Sequence, residues 1–218
     1  GGVTCDEADI YAALTSGAIT ATISEGTMAA LNTLGAETGH AYTITITDTT
    51  ADAGDVNTLN TKSTVAVNAA ALTSIHGDYA EFTTLFAAGA ADPATVTGLG
   101  NEAITIAHDG ANNPLTVGEA NIANTWTTGV VTANVAAGTI ATLNGITETG
   151  NTIALNVSDA TVVAATLNNL RAKTTGVVNV QATTINGSLS DIAALYNDQQ
   201  AGTVTGLGAE AIGMTDTG

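Results

Sequence analysis

The sequence predicts a repeat solenoid that is mainly β, with one short helix in each coil. The first observation behind this prediction is an internal duplication, because residues 95–104 recur at residues 203–212 with nine of ten positions identical. The second is strict alternation of polar and apolar residues in short runs, such as residues 43–47. The third is a Leu-centred stretch and a Thr-Gly turn before several of these runs, at intervals of about 27 residues.

The duplication extends over nearly the whole chain. Residues 26–32 recur at 138–144, and residues 37–39 recur at 148–150. The offset between matching segments varies only from 108 to 112 residues. We therefore predict two tandem copies of a unit of about 110 residues, divided into roughly eight sub-repeats. One sub-repeat cannot bury its own apolar face, whereas stacked sub-repeats can.

Each sub-repeat is predicted to contain a short helix, a Gly turn and a strand. In the alternating run 43–47, Ile44 and Ile46 are expected to face the core while the Thr side chains face outward. Residues 191–196 carry apolar residues at helical spacing and are expected to form one or two helical turns, with Ser190 or Asp191 as the N-cap. Glycines that follow these stretches are expected to end helices in the left-handed conformation, at positions 17, 39, 129, 150 and 176.

The two copies are expected to occupy residues 1–112 and 113–202, with residues 203–218 as an extra strand segment. Copy 1 begins without an equivalent of residues 95–112, because Ile10 aligns with Ile122. One explanation is that the chain is a fragment of a longer array. The other is assembly, in which the spare segment of one molecule fills the vacancy on the next and a fibre grows. The expected anchors of such a donor strand are Val204, Leu207 and Ile212.

Composition excludes several classes of protein. The chain of 218 residues has 20 acidic residues and only 3 Lys or Arg, giving a net charge of −17, so it is not expected to bind a nucleic-acid backbone. Its single cysteine, Cys5, excludes a disulfide framework. No apolar run reaches the roughly 18 residues of a membrane-spanning helix, so we expect no membrane insertion. A hydrophobic content of 44% excludes a disordered acidic tail.

Catalytic chemistry is not predicted. The three histidines lack partners at metal-ligand spacing and are interpreted as exposed turn residues. A polysaccharide-cleaving groove combines carboxylates with aromatic platforms and basic residues, and this chain has 3% aromatics and three basic residues. We therefore predict that the protein is not an enzyme and has no organic cofactor.

Calcium is the one ligand that the acidic residues suggest. Asp48, Asp52 and Asp55 fall in a Gly-containing loop, and carboxylate oxygens suit Ca²⁺. The competing interpretation is a solvated turn, because copy 2 keeps Asp159 in place of Asp48 but has apolar or hydroxyl residues at the other two positions. Asn156 and Asn186 also fit the N-glycosylation pattern, in a chain so rich in Asn and Thr that chance matches are expected.

Residues 98–105 and 167–176 are similar to runs in the large bacterial β-strand-repeat surface proteins, notably cyanobacterial ones. The composition also resembles Thr-, Ala- and Gly-rich S-layer and adhesin repeats. The resemblance implies an extracellular, cell-surface role that is structural or adhesive, and it brings no catalytic residues. The members of that group are very long, whereas this chain is short, which favours self-assembly.

The functional prediction is a non-enzymatic extracellular building block that forms a homopolymeric fibre or layer on the cell surface. Its subunits are expected to join head-to-tail by strand donation. The alternative is a fragment of a large adhesin or S-layer protein that binds carbohydrate or calcium.

Overall fold

The computed structural model describes residues 1–107 and 114–215. The chain divides into two compact units. Unit 1 contains Gly1–Ala107 together with Thr127–Gly129, and unit 2 contains His108–Trp126 together with Val130–Gly218.

Unit 1 alternates short helices with short parallel strands. Strand β1 pairs with β2, β4 pairs with β6, and β5 lies between β3 and β7. Its helices are α1 (Cys5–Leu14), α2 (Met28–Leu31), α3 (Ala53–Thr61) and α4 (Tyr79–Ala90). Its strands are β1 (Thr20–Thr22), β2 (Ala41–Thr43), β3 (Thr50–Asp52), β4 (Val67–Asn68), β5 (Ser74–Gly77), β6 (Val96–Thr97) and β7 (Ala103–Ile106).

Unit 2 has the same alternation. Strand β9 pairs with β8 and β11, β11 pairs with β13, and β12 lies between β10 and β14, all in parallel. Its helices are α5 (Val117–Ala123), α6 (Ile140–Leu143), α7 (Ala164–Arg171) and α8 (Leu189–Gln200). Its strands are β8 (Val131–Asn134), β9 (Thr152–Val157), β10 (Thr161–Val163), β11 (Val178–Val180), β12 (Thr184–Gly187), β13 (Val204–Thr205) and β14 (Ala211–Met214).

The predicted mainly-β solenoid is wrong, because residues 1–107 and 114–215 form an α/β structure with parallel sheets and eight helices. Helices α4 and α8 run for 12 residues each, so they are substantial elements rather than single turns. Both start at strong caps, since the side chains of Asp78 and Ser188 accept hydrogen bonds from the amides of Glu81 and Asp191. Parallel strands also need long crossovers, which these helices supply.

Apolar side chains of the strands and of one helix face fill the interior of each unit. In the run 43–47, Ile44 and Ile46 are fully buried while Thr43, Thr45 and Thr47 are exposed, which confirms the predicted alternation. None of the helices within the described ranges is both long enough and apolar enough to cross a membrane.

Candidate functional site

The three aspartates proposed for calcium have separate hydrogen-bond partners, and two of them, Asp48 and Asp52, bind amides at helix N-termini. The carboxylate of Asp48 accepts a hydrogen bond from the Met28 amide at 2.6 Å. Asp52 caps α3 by accepting from the Gly54 and Asp55 amides at 2.9 and 3.2 Å, and Asp55 accepts from the Asn32 side chain at 3.0 Å. Within residues 1–107 and 114–215, no group of three or more His, Cys, Asp or Glu side chains could hold a metal ion.

The two histidines within the described residues, His40 and His76, have different surroundings. His40 is buried, contrary to the expectation of an exposed turn residue, and its Nδ1 accepts a hydrogen bond from the Ile19 amide at 3.2 Å. His76 is exposed and its Nε2 lies 3.7 Å from a carboxylate oxygen of Asp52. His108 lies outside the described residues.

Cys5 is buried and forms no disulfide. Burial raises the pKa of its thiol, and the negative charge of Glu25 raises it further. The reactive thiolate is therefore disfavoured, and the side chain is withdrawn from any partner that could form a cross-link.

The three residues proposed for self-assembly have different surroundings. Val204 is fully buried on β13 within unit 2. Leu207 is partly buried, and its amide donates to the side chain of Gln199 at 3.0 Å. Ile212 on β14 is 42% exposed. Sequence reasoning missed Met214, which is 52% exposed two residues farther along the same strand.

The segment proposed as a donor strand is paired within its own chain. Strand β13 pairs with β11 and β14 pairs with β12, in parallel and in register. The amides of Ala211 and Thr215 donate to carbonyls on the β12 side. Because backbone groups alternate in direction along a strand, those of Ile212 and Met214 point away from β12. Strand β14 is thus the edge of its three-stranded sheet in the described part of unit 2.

The counterpart of β14 in copy 1 is β7, at an offset of 108 residues. Ile104 and Ile106 on β7 are 0% and 5% exposed, whereas the matching Ile212 and Met214 on β14 are largely exposed. The register is the same in both units, since Ile104 lies opposite Ile75 and Ile212 lies opposite Ile185. The exposure of Ile212 therefore does not come from a change of residue type or of register, whereas at the next outward position Ile106 is replaced by Met214.

A second edge, open at its first residues, lies at β1 in unit 1. Val3 already pairs with the end of this strand, since its amide donates to the Thr22 carbonyl and its carbonyl accepts from the Ser24 amide, both at 2.9 Å. The Ala41 amide donates to the Ile19 carbonyl, and the Ile23 amide donates to the Thr43 carbonyl. By the same alternation, the backbone groups of Thr20 point away from β2, and no described residue pairs with them.

Exposed apolar side chains lie just before this edge in sequence. Tyr11 and Leu14 on α1 are 48% and 76% exposed. At an offset of 112 residues, the counterpart of Tyr11 is Ala123, which is fully buried, and the counterpart of Leu14 is Trp126, which is partly buried. The opening edge of copy 1 is therefore more exposed than the matching part of copy 2.

A rigid turn precedes β14. The carboxylate of Glu210 accepts hydrogen bonds from the amides of Gly208 at 2.7 Å and Ala209 at 3.0 Å, and from the hydroxyl of Tyr196. Burial acts to raise the pKa of Glu210, but these hydrogen bonds outweigh it and hold the pKa below its usual value. Burial, followed by the bond to Glu210, raises the pKa of Tyr196 to about 12.

The chain matches no family model, no curated protein and no solved structure. The candidate functional surfaces are the two exposed edges, which we name the β1 edge (Tyr11, Leu14 and residues 15–20) and the β14 edge (residues 208–214).

Proposed function

We propose that this chain is a non-enzymatic extracellular structural protein whose molecules join head-to-tail, β14 edge to β1 edge, into a fibre or layer on the cell surface. The observation that supports the proposal is the exposure of both edges where their counterparts in the other copy are buried. Ile212 at 42% against Ile104 at 0% is the sharpest example.

Open edges of this kind promote association. The outward backbone groups of an edge strand can pair with another strand. Exposed apolar side chains make the free energy of association more favourable when they are covered. The β1 edge and the β14 edge are different surfaces, so their contact is heterologous and can repeat without limit. Because β14 stays paired to β12, the joint is an addition of sheet edges rather than an exchange of a strand.

The charge distribution of the chain favours a joint made by apolar and backbone contacts. All three cationic side chains donate to carbonyls of their own chain: Lys62 to Leu34, Lys173 to Asn144 and Ile146, and Arg171 to Thr174. Each cationic group is therefore engaged at least in part by its own chain. Apolar and backbone contacts must carry the joint against a net charge of −17, and salt should favour assembly by screening the repulsion.

The extracellular location rests on the resemblance of residues 98–105 and 167–176 to surface-protein repeats. An antibody against the chain, applied to intact and to permeabilised source cells, tests it. We expect equal labelling of both, and labelling only after permeabilisation would contradict the location.

Assembly is tested with the purified protein by electron microscopy and light scattering at rising salt concentration. We expect regular polymers from the natural sequence and only monomers from Ile212→Lys, which places a charge on the β14 edge. Ile122→Lys is the matched control, because Ile122 is 49% exposed on helix α5, away from both edges in sequence. A natural chain that stays monomeric at every salt concentration, or an Ile212→Lys variant that polymerises like the control, would overturn the proposal.

A further inference from the structure

A small turn recurs four times in the described residues, directly after a helix or its last turn. In each case the amide of the third residue donates to the side-chain hydroxyl of the first, at 2.9 to 3.0 Å. We call this turn a hook. The four hooks are Thr15–Ser16–Gly17, Ser63–Thr64–Val65, Thr127–Thr128–Gly129 and Thr174–Thr175–Gly176.

One hook in unit 1 shows how the turn docks. The hydroxyl of Thr127 donates to the Glu102 carbonyl at 2.6 Å, and the amide of Thr128 donates to the Gly100 carbonyl at 2.9 Å. The third residue is glycine because the backbones touch: a Cβ at Gly129 would collide with the Glu102 carbonyl. A docked hook thus occupies two carbonyls that are two residues apart.

The hook at residues 174–176 docks identically within unit 2. The Thr174 hydroxyl donates to the Ile153 carbonyl at 2.6 Å, and the Thr175 amide donates to the Asn151 carbonyl at 2.9 Å. A Cβ at Gly176 would collide with the backbone of Ile153.

The hook at residues 63–65 repeats the contact within unit 1. The Ser63 hydroxyl donates to the Tyr42 carbonyl at 2.7 Å, and the Thr64 amide donates to the His40 carbonyl at 2.7 Å. Three of the four hooks therefore occupy a pair of carbonyls.

The hook Thr15–Ser16–Gly17 is formed but undocked. All three residues are exposed, and in the described residues the Thr15 hydroxyl and the Ser16 amide donate to no carbonyl. Gly17 does not have a positive φ, and only the Thr15 hydroxyl lies within 4 Å of a Cβ added to it. Nothing within its own chain requires glycine at this position. Glycine is required by close backbone approach at the docked counterparts Gly129 and Gly176, although the docked hook of residues 63–65 carries Val65 there.

The matching pair of carbonyls lies on the β14 edge. Gly208 and Glu210 are the counterparts of Gly100 and Glu102, and the two glycines have φ values of 122° and 117°. Each glutamate carboxylate accepts the amides of its own turn, so both turns hold their carbonyls in place. Within the described residues, the carbonyls of Gly208 and Glu210 accept no hydrogen bond.

We infer that the Thr15–Ser16–Gly17 hook of one molecule docks onto the Gly208 and Glu210 carbonyls of another copy of this chain. The inference rests on the proposed head-to-tail assembly and identifies the contact that fixes its register. Tyr11 and Leu14 beside the hook, and Ile212 beside the carbonyls, supply the apolar surface that the contact covers.

The first test places a side chain where the backbones should touch. In Gly17→Val the added Cβ lies 3.3 Å from the Thr15 hydroxyl of the same molecule and meets no other atom of the monomer within 4 Å. In a contact with the geometry of the Gly129 hook, it would collide with the Glu210 carbonyl of the partner. We expect the concentration needed for polymerisation to rise at least tenfold, with the urea midpoint of the monomer unchanged. Gly118→Val is the matched control, because the nearest atom to its Cβ is the hydroxyl of Thr116 at 3.8 Å, and it should polymerise like the natural chain.

The second test mixes two blocked variants. Below the raised polymerisation concentration of Gly17→Val, neither variant should polymerise alone. Gly17→Val retains an intact β14 edge and Ile212→Lys retains an intact hook, so a 1:1 mixture should form heterodimers and nothing longer. Size-exclusion chromatography with light scattering measures this.

The outcomes separate the two proposals. Polymerisation of Gly17→Val at the natural concentration, or a mixture that stays monomeric while the natural chain polymerises, overturns the hook contact alone. A natural chain that never polymerises overturns the proposed function and, with it, the hook contact.

Discussion

In copy 1 the carboxylate of Asp48 accepts the Met28 amide at 2.6 Å, and in copy 2 Asp159 accepts the Ile140 amide at the same distance. The capping box of Thr4 and Glu7 on α1 likewise recurs on α5. Lys62 donates to a carbonyl just after helix α2, and Lys173 donates to carbonyls just after helix α6. These three polar contacts at helix ends are therefore common to both copies.

The two copies differ in the exposure of matching residues at their edges. Ile104 and Ile212 are the same residue type in the same register, yet one is fully buried and the other is 42% exposed. The hooks differ in the same way, since Thr127 is buried and Thr15 is exposed. Exposure at the two edges therefore depends on position in the chain, and Ile212 retains the residue type of a covered site.

The hook glycines provide the largest expected effect on stability. Gly129→Val should lower the free energy of unfolding by about 3 kcal/mol, because its side chain is forced into the Glu102 carbonyl. Gly17→Val should change it by less than about 0.5 kcal/mol. Urea denaturation at low salt, where the chain is monomeric, measures both. Equal losses would show that Gly17 is also packed within its own chain.

Removing the matching aspartates Asp48 and Asp159 should lower the free energy of unfolding by the same amount in both copies. Asp48→Ala and Asp159→Ala each leave a helix-terminal amide without its acceptor, so each should lower the unfolding free energy by about 2 kcal/mol. Denaturant titration of the two variants measures the match. A difference above about 1 kcal/mol would show that the copies rely on this contact unequally.

Asp52 is one position at which the copies differ in chemistry. Its carboxylate caps α3, whereas the counterpart Val163 makes no side-chain cap on α7. Asp52→Val should therefore cost about 1 kcal/mol, in calcium and in chelator alike. A loss seen only in calcium would instead assign Asp48, Asp52 and Asp55 to an ion.

The smallest effect concerns the Tyr196–Glu210 contact, which copy 1 lacks because Phe86 occupies the tyrosine position. The pKa of Glu210 is lowered by folding, so its stabilisation is complete above its unfolded pKa of about 4.3 and is lost as the pH falls below that value. The pKa of Tyr196 is raised to about 12, so its stabilisation is present below its unfolded pKa of about 10 and is lost as the pH rises through 12.

Ultraviolet titration of the tyrosines measures the alkaline effect. A transition near pH 12 in the natural chain should be absent in Tyr196→Phe. Its persistence in that variant would assign the transition to another tyrosine, such as Tyr42, whose pKa burial also raises.

The sequence could predict features that repeat as residue types. Alternation located Ile44 and Ile46 in the core, and matching segments related Asp48 to Asp159. Helix lengths were not predictable in this way, because residues 87–90 at the end of α4 are Ala and Gly without apolar periodicity.

The glycine turns were predicted only in part. Gly39 and Gly150 have φ values of 88°, as expected, whereas Gly17, Gly129 and Gly176 do not have a positive φ. At Gly129 and Gly176 the requirement is close approach of another backbone. The recurring Thr–Thr–Gly sequence was a visible signal, but the acceptors are main-chain carbonyls, which have no signature in residue type. The burial of His40 likewise had no sequence signal.

Amide hydrogen exchange, compared between the low-salt monomer and the assembled protein, tests the central claim most directly. Slowed exchange is predicted on assembly for the amides of Ser16, Thr20 and Ile212, with the buried strands β5 and β12 unchanged. Equal exchange of these three amides in both states, or protection confined to other surfaces, would contradict assembly through the β1 and β14 edges.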